Sequence, residues 1–340
     1  MLLSHLPRVQ LVHAPTPLEF LPNLTKALNG PQIYIKRDDA TGLATGGNKT
    51  RKLEFLIGDA LAKGATHVLT QGATQSNHVR QTIAAANKFG LKASVLLEQR
   101  VSDGTEEYYN NGNLLLDEIL GATSIEVVPG GTDMAAALEA KAKELELQGE
   151  RPYIIPGGGS NAIGALGYVS TAIELINQLN QIQLAPTHLV HATGSTGTQA
   201  GLLAGIAATH SNLPVLGISV RAEKSKQEEN VYKLTRATLE HLGLNADLIA
   251  REKVIANSDY VGDGYGIPTD SMVEAVELLA RTEGILLDPV YSGKGFAGLV
   301  DLIRQGHFTK DDKVIFLHTG GAVGLFGYRK TFSSKDAYRL

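Results

Sequence analysis

The chain has 340 residues, room for about two domains, and its 43% hydrophobic and 19% charged content suits a large buried core rather than disorder. With 31 basic against 35 acidic residues the net charge is −4, which argues against nucleic acid or an anionic membrane as main partner, and the absence of cysteine excludes disulfides, thiolate metal sites and a cysteine nucleophile. Glycine is over-represented, at 37 residues against the ~7% typical of proteins, without any segment of low complexity, so the excess calls for a local explanation.

Met1 to Pro15 carries no apolar signal core, and no run approaches the roughly 18 apolar residues that span a bilayer, so the expectation is a soluble cytoplasmic protein. From there, strand-like and helix-like patterns alternate. A β-type run at Ile33–Lys36 is followed by a helical pattern of Leu53, Leu56, Ile57, Ala60 and Leu61, stopped by Gly64. Next come a strand at His67–Thr70, a helix over Gln81–Lys88, strands at Ala93–Leu97 and Ser124–Val128, a helix over Thr132–Gln148 and a strand at Tyr153–Ile155. The second half continues with a helix over Gly164–Leu179, a strand at His188–His191, a helix over Gln199–Thr209, a strand at Val215–Ser219, a helix over Asp270–Glu283 and a strand at Val314–Leu317. Such β-α alternation implies a mostly parallel α/β sheet covered by helices, with ligands beyond the carboxyl ends of its strands.

The chemistry-bearing residues cluster at the junctions. Gly46-Gly47-Asn48-Lys49 opens a helix, with Asn48 as a plausible N-cap and Lys49 in the first turn. A cation is disfavoured at a helix N-terminus, and Lys52 adds a like charge, so the amine of Lys49 is expected to titrate low, as a lysine nucleophile requires. The competing reading of this stretch is a solvated basic face. Gln71–His78 follows a strand and precedes a helix, where Ser76 and Asn77 either cap the helix or present a hydroxyl and an amide to a ligand. Thr193 to Gly201, with Ser195, Thr196, Gly197 and Thr198 at its centre, offers backbone N–H groups, hydroxyls and a positive helix end to an anion such as phosphate, with no lysine inside the string. Three glycine-flanked loops complete the set: Gly262–Gly266 around Tyr265, Asp288–Gly295 with Tyr291 and Ser292, and His318–Gly321 with Thr319. Gly157–Ala162 fits the G-x-G-x-x-A dinucleotide pattern, but Pro156 ends the preceding strand and the next acidic residue, Glu174, lies inside a helical pattern. The ten histidines show no metal-ligand spacing, so no metal is expected.

Taken together, and in this order, these motifs resemble the fold type II pyridoxal-phosphate enzymes related to tryptophan synthase β. The branch is the one holding 1-aminocyclopropane-1-carboxylate (ACC) deaminase, D-cysteine desulfhydrase and L-cysteate sulfo-lyase. The strings G-G-N-K-x-R-K-L-E, Q-S-N-H-x-R-Q and D-P-V-Y-x-G-K carry the resemblance, which runs from Pro15-Thr-Pro-Leu18 to Gly320-Gly321. It implies pyridoxal 5'-phosphate as cofactor and two open, twisted, mostly parallel sheets covered by helices. Residues 50–165 would form a small domain, and residues 1–49 with 166–340 a large cofactor-binding one. By resemblance, Lys49 attaches the cofactor as a Schiff base and moves the Cα proton, Asn77 meets the ring hydroxyl oxygen, and Ser76 contacts the substrate carboxylate. Ser195 to Thr198 would hold the phosphate, Tyr265 would stack near the ring, and Tyr291 would face the substrate. A small amino acid is the implied substrate and a homodimer the implied assembly.

Two positions sort the branch. The cyclopropane deaminases carry Glu and Leu where this chain has Ser292 and Thr319. A hydroxyl at Ser292, facing the ring nitrogen, suits β-elimination, which implies a carbon–sulfur lyase. The hydroxyl-rich stretches Thr41–Gly47 and Gln71–Thr74, with Arg221 in Ser219–Ala222, lean toward a sulfonate, hence toward L-cysteate sulfo-lyase before D-cysteine desulfhydrase, and the deaminase last.

Overall fold

The computed structural model describes residues 3–101 and 104–332. Ten strands run in chain order: β1 (Leu18–Phe20), β2 (Gln32–Arg37), β3 (His67–Ala73), β4 (Lys92–Glu98), β5 (Ser124–Val128), β6 (Pro152–Ile154), β7 (His188–Thr193), β8 (Val215–Ser219), β9 (Ile255–Asn257) and β10 (Lys313–His318). They form two sheets, a six-stranded one ordered β1-β2-β10-β7-β8-β9 and a four-stranded one ordered β5-β4-β3-β6. Every pairing is parallel except β1 with β2. This is the mostly parallel α/β architecture that the alternation implied, divided into the two sheets that the resemblance implied. The central strands β3, β7 and β10 are buried almost throughout, as parallel strands covered on both faces must be. β1 and β9, three residues each and each with an exposed residue, have no counterpart among the expected strands.

The helices expected from periodicity are present with shifted ends. The pattern from Leu53 belongs to a helix that already starts at Lys49 (Lys49–Ala62), and Gln81–Lys88 is the latter part of Asn77–Lys88. An 18-residue helix at Lys224–His241 has no counterpart among the expectations. Its inward face is half polar, with Gln227, Thr235 and Thr238 beside Val231 and Leu239, so no apolar stripe marks it. The stretch Asp288–Gly295, read as a loop, becomes helix at Ser292 (Ser292–Arg304). Its glycines serve packing: a Cβ on Gly295 would lie 2.8 Å from that of Ala192 on β7. No helix among the described residues is long and apolar enough to cross a membrane.

The four-stranded sheet falls entirely within residues 50–165 and the six-stranded one entirely outside that span. Two helices, Lys49–Ala62 and Ala162–Gln181, straddle the boundary positions. They approach so closely that a Cβ on Gly167 would lie 2.3 Å from the carbonyl oxygen of Arg51. A buried ion network fixes this crossing. Arg51 donates Nε and Nη2 to the two Asp38 carboxylate oxygens (both 2.8 Å) and Nη1 and Nη2 to Glu174 (3.0 and 2.9 Å). Lys36 donates to Glu174 at 2.5 Å and Tyr168 to Asp38 at 2.7 Å. Glu174 is therefore an ion-pair partner of the fold, which removes the last support for a dinucleotide fingerprint at Gly157–Ala162. The network anchors the helix that begins with Lys49 to the large sheet.

Candidate active site

The carboxyl ends of β3 and β7 open on a common cavity of about 620 Å³, with a small recess beside it that the segment after β10 also reaches. Lys49, Ser76, Asn77, Ser195, Thr196, Tyr265 and Tyr291 line the cavity. Thr198 and Thr319 line the recess, together with Lys49 and Asn77. Gly197 stands directly behind Thr196 as the first residue of the helix Gly197–Ala208. Residues that the sequence spreads over some 270 positions are thus brought to one place.

Lys49 is half-buried, and its neighbours Thr50, Arg51 and Lys52 are buried, so this stretch is no solvated basic face. Burial pushes the Lys49 amine down to about 8, against the pull of Asp288 and with help from the Arg80 guanidinium. The depressed amine was expected, but its main cause is desolvation, and the assisting charge is Arg80 rather than Lys52. Asn48 occupies the N-cap position without capping. Its Nδ2 donates to Thr198 Oγ1 at 3.0 Å and its Oδ1 accepts from Lys49 Nζ at 3.1 Å, so it bridges the lysine to the Ser/Thr cradle.

At the next junction the capping reading holds for Ser76, and Ser76 and Asn77 both line the cavity. Ser76 Oγ accepts from the Val79 N–H at 3.2 Å as the N-cap of Asn77–Lys88. That use leaves the hydroxyl proton free to donate into the cavity. Asn77 Oδ1 accepts from Arg80 Nη1 (3.1 Å) and Asn113 Nδ2 (2.9 Å). A guanidinium only donates, so the atom facing it is the oxygen and the Asn77 NH₂ faces away from it, against Gly321. His78 is fixed likewise. Thr70 gives its only hydroxyl proton to the Ile155 carbonyl (2.8 Å), so His78 Nε2 is the donor to Thr70 Oγ1 (2.8 Å), and its buried Nδ1 is left unprotonated with no partner among the described residues. Burial, with Lys49 and Lys52 nearby, pushes the His78 ring well below its ordinary value and keeps it neutral.

The Ser195–Thr198 cradle is more elaborate than its string suggests. Thr196 holds φ 69°, ψ −42°, a left-handed conformation that costs a non-glycine residue energy and so tends to mark a functional loop. Lys52, from the Lys49 helix, reaches the cradle's floor: a Cβ on Gly197 would lie 2.9 Å from Lys52 Nζ. The Lys52 amine donates to the Gly158 carbonyl at 3.0 Å and has no carboxylate beside it. An amine thus stands at the cradle's floor although no lysine lies inside the cradle's own string. The Gly157–Gly159 turn forms the opposite wall, with a Cβ on Gly158 only 2.3 Å from Ser195 Oγ, and Ser160 Oγ accepts from the Gly197 N–H at 3.1 Å. Lys52, Gly158 and Ser160 were not picked out for the site because they come from elements remote from the cradle in sequence.

On the remaining side the Tyr265 and Tyr291 hydroxyls are 2.6 Å apart, with their rings edge to face at 5.7 Å. Lys49 Nζ stands 5.7 Å from the centre of the Tyr291 ring. The Arg100 and Arg221 guanidinium carbons lie 5.5 and 6.0 Å from the centre of the Tyr265 ring. Ser292 does not line the cavity or the recess. Its hydroxyl is fully buried, donating to Asp288 Oδ1 at 2.7 Å and accepting the Asp288 N–H at 2.8 Å. Being the first residue of a helix, Ser292 turns back onto the loop that precedes it. Ser292 alone was expected at the ring nitrogen, and it is Thr319 that reaches the recess.

Lys49, Lys52 and Arg80 are thus buried cations beside a cradle of amides and hydroxyls, with no carboxylate among the described residues that line the cavity. That composition fits a phosphorylated carbonyl compound: an anion for the cradle and Lys52, and an aldehyde for a neutral amine. Residues 9–320 match the family described as pyridoxal-phosphate dependent enzyme. D-cysteine desulfhydrases of Salmonella typhi and Salmonella newport are 47% identical over 326 residues, covering 96% of this chain and 97% of theirs. The solved structure of an ACC deaminase homologue superposes with a TM-score of 0.86 at 39% identity, covering 97% of this chain and 96% of that one. Escherichia coli diaminopropionate ammonia lyase, at 16% identity, shares the fold with a TM-score of 0.63, over 94% of this chain and 86% of its own. The chain therefore belongs to the pyridoxal-phosphate dependent enzymes, in the family of D-cysteine desulfhydrase and ACC deaminase.

Proposed function

We propose that the protein is a carbon–sulfur β-lyase that eliminates the sulfur group of a cysteine-like amino acid, releasing pyruvate and ammonia. The observation that carries this reading is the half-buried Lys49 amine, depressed to about 8, set between the Asn77 amide, the Ser195–Thr198 cradle and the Tyr265–Tyr291 pair. When bound, pyridoxal phosphate supplies an electron sink for the substrate Cα. Lys52 and Ser195 to Thr198 would bind its phosphate, the Asn77 NH₂ would donate to its ring oxygen, and the Thr319 hydroxyl would serve its ring nitrogen. Lys49 Nζ, neutral in about a tenth of molecules at pH 7 and about half at pH 8, would take the Cα proton. Ser76 donates to the substrate carboxylate, and the Tyr291 hydroxyl, sharing a proton with Tyr265, delivers it to the departing sulfur. The four-stranded body, residues 50–165, is the small domain in this reading, and its closure over the large one excludes water.

D-cysteine is the substrate proposed first, because the relatives that match nearly the whole chain carry the name D-cysteine desulfhydrase. One observation favours L-cysteate as a second reading. Arg100, Arg221 and Lys233 line the cavity and no acidic residue among those described does, which suits a substrate carrying a sulfonate besides its carboxylate. The test is pyruvate release from D-cysteine, L-cysteate and the cyclopropane amino acid side by side, with sulfide and sulfite assayed, and with Lys49→Ala as control. Wild-type protein should take up pyridoxal phosphate and absorb in the visible, Lys49→Ala should do neither, and turnover should fall by at least about a thousandfold. Uptake without pyruvate from either sulfur substrate would refute the lyase. Sulfite from L-cysteate with no sulfide from D-cysteine would reverse their order.

A further inference from the structure

Arg80 is the largest fully buried side chain of the molecule, and the reaction as described above does not use it. It lies on the helix Asn77–Lys88, one turn beyond Asn77, and its guanidinium reaches three places. Nη1 donates to Asn77 Oδ1 at 3.1 Å and, in a very short contact, to Asn113 Oδ1. Nη2 donates to the carbonyl of Gly46 at 2.9 Å. Asn113 closes a triangle by donating its own amide to Asn77 Oδ1 at 2.9 Å. Gly46 begins the glycine pair that leads into Lys49, held at φ 75° with a Cβ position only 2.0 Å from the Asp39 carbonyl oxygen, so this turn has one available shape.

We propose that Arg80 is a positioning residue for the cofactor site: its guanidinium locks the Asn77 carboxamide with its NH₂ turned away toward Gly321 and ties that amide to the Gly46–Gly47 turn from which Lys49 starts. The inference rests on the roles given to Lys49 and Asn77 under Proposed function. Three features support it. Both nitrogens of the fork only donate, so no flip of the Asn77 amide survives contact with it. The same fork touches the anchor of Asn77 and the anchor of Lys49, which lie 31 positions apart in the sequence. Arg80 is also the like charge that helps lower the Lys49 amine. A residue needed only for packing would not have to be cationic. Burial opposes a charge here, and Nε has no partner among the described residues, while the nearby Asp117 and Asp288 carboxyls offset that cost only in part.

The test separates the charge from the fork. In cofactor-free protein prepared from the full chain, pyridoxal phosphate affinity and the pH midpoint of its uptake rate are measured for wild type, Arg80→Lys, Arg80→Met, Asn77→Ala and the double variant Asn77→Ala/Arg80→Met, with circular dichroism to verify folding. Arg80→Lys keeps the charge and loses the fork, so affinity should fall about tenfold while the midpoint stays within about a quarter unit of wild type. Arg80→Met should lose affinity to a similar degree and move the midpoint upward by about half a unit or more, because a like charge next to Lys49 is gone. The double variant should be no weaker than Asn77→Ala by more than about twofold, since Arg80 acts through Asn77. A folded Arg80→Met with wild-type affinity and midpoint would overturn the proposal, and so would additive losses in the double variant. If neither Arg80 variant folds, the residue serves the fold alone and the proposal fails. A wild-type chain that takes up no pyridoxal phosphate would instead refute the reading of Lys49 itself, and the present inference with it.

Discussion

Two buried basic clusters lie within a few residues of each other at the start of the helix Lys49–Ala62, and they are built in opposite ways. Arg51 and Lys36 face Asp38 and Glu174, with each guanidinium nitrogen and the Lys36 amine on a carboxylate or a neutral acceptor. Lys49, Lys52 and Arg80 face carbonyls, amides and a hydroxyl-lined cradle. Of the carboxyls nearest them, Asp117 lies by Arg80 without a hydrogen bond to it, and Asp288 is occupied by the N–H groups of Val290, Tyr291 and Ser292 and by the Ser292 hydroxyl. The sequence reads G-G-N-K-T-R-K-L-E without a sign of which cation belongs to which cluster. The difference teaches that burial of a charge is not itself the mark of function. A compensated cation holds the fold, whereas an uncompensated one keeps its desolvation cost until an anionic ligand arrives.

Removing one partner from each cluster should therefore have opposite effects on the cofactor-free protein. Arg51→Met strands Asp38 and Glu174 in the interior, and unfolding by denaturant should show a loss of about 3–5 kcal/mol. Lys52→Met removes an amine that burial holds well below its ordinary value, and should leave stability unchanged or raise it by up to about 1 kcal/mol. Equal destabilisation by both would erase the distinction between the clusters.

The second prediction sharpens the role of the uncompensated cluster. Inorganic phosphate should raise the Tm of cofactor-free wild type, since a ligand bound only by the folded state stabilises it. The same phosphate should leave the Tm of Lys52→Met nearly unmoved, and pyridoxal phosphate affinity in that variant should fall on the order of tenfold to a hundredfold, as expected for losing a charge-assisted contact in a desolvated site. An undiminished phosphate response in Lys52→Met would place the anion elsewhere.

What could be read in the sequence divides along the same line. Lys49, Asn77, Ser195–Thr198, Tyr265 and Tyr291 lie in short motifs at helix starts or glycine-flanked loops, and the resemblance of those motifs, rather than spacing alone, gave them their site roles. Gly157–Gly159, which the sequence offers as a dinucleotide pattern, is the wall opposite the cradle, so part of the glycine excess lies at the site. Lys52 and Arg80 were not legible as site residues, because their partners come from remote segments: Gly158 is 106 positions from Lys52, and Gly46 is 34 from Arg80. Pairing of charges across such distances is set by the packing of two helices and two sheets, and no local period records it.

The pH dependence tests the uncompensated cluster from its other member. Only the neutral amine of Lys49 attacks an aldehyde, and in the folded chain that amine titrates at about 8, below the usual lysine range. The rate of pyridoxal phosphate uptake should thus rise with pH and level off above about 8, rather than climbing until 10.5 as for an exposed lysine. The same depression means that the unfolded chain binds more protons than the folded one between these values, so this group makes the cofactor-free protein more stable as pH rises through that window. Stopped-flow uptake over pH 6 to 10 checks the first statement, and a midpoint near 10 would show that Lys49 is not desolvated in solution.

The smallest expected effect concerns two hydroxyls that the sequence treats alike. Ser292 lies directly after Tyr291 and was expected at the ring nitrogen, yet its hydroxyl is spent on Asp288, whereas Thr319 reaches the recess beside Lys49 and Asn77. Thr319→Val should therefore shift the visible band of the bound cofactor and lower turnover about tenfold, as loss of one hydrogen bond in a desolvated site does. Ser292→Ala should leave the band in place. It should instead cost about 1–2 kcal/mol of stability, because the Asp288 carboxylate and backbone N–H both lose a buried partner. If Ser292→Ala moves the band and Thr319→Val does not, the hydroxyl of Ser292 turns toward the ring once the cofactor is bound. Asp288 would then face the ring with one partner fewer, and its carboxyl, which burial already pushes upward, would rise further.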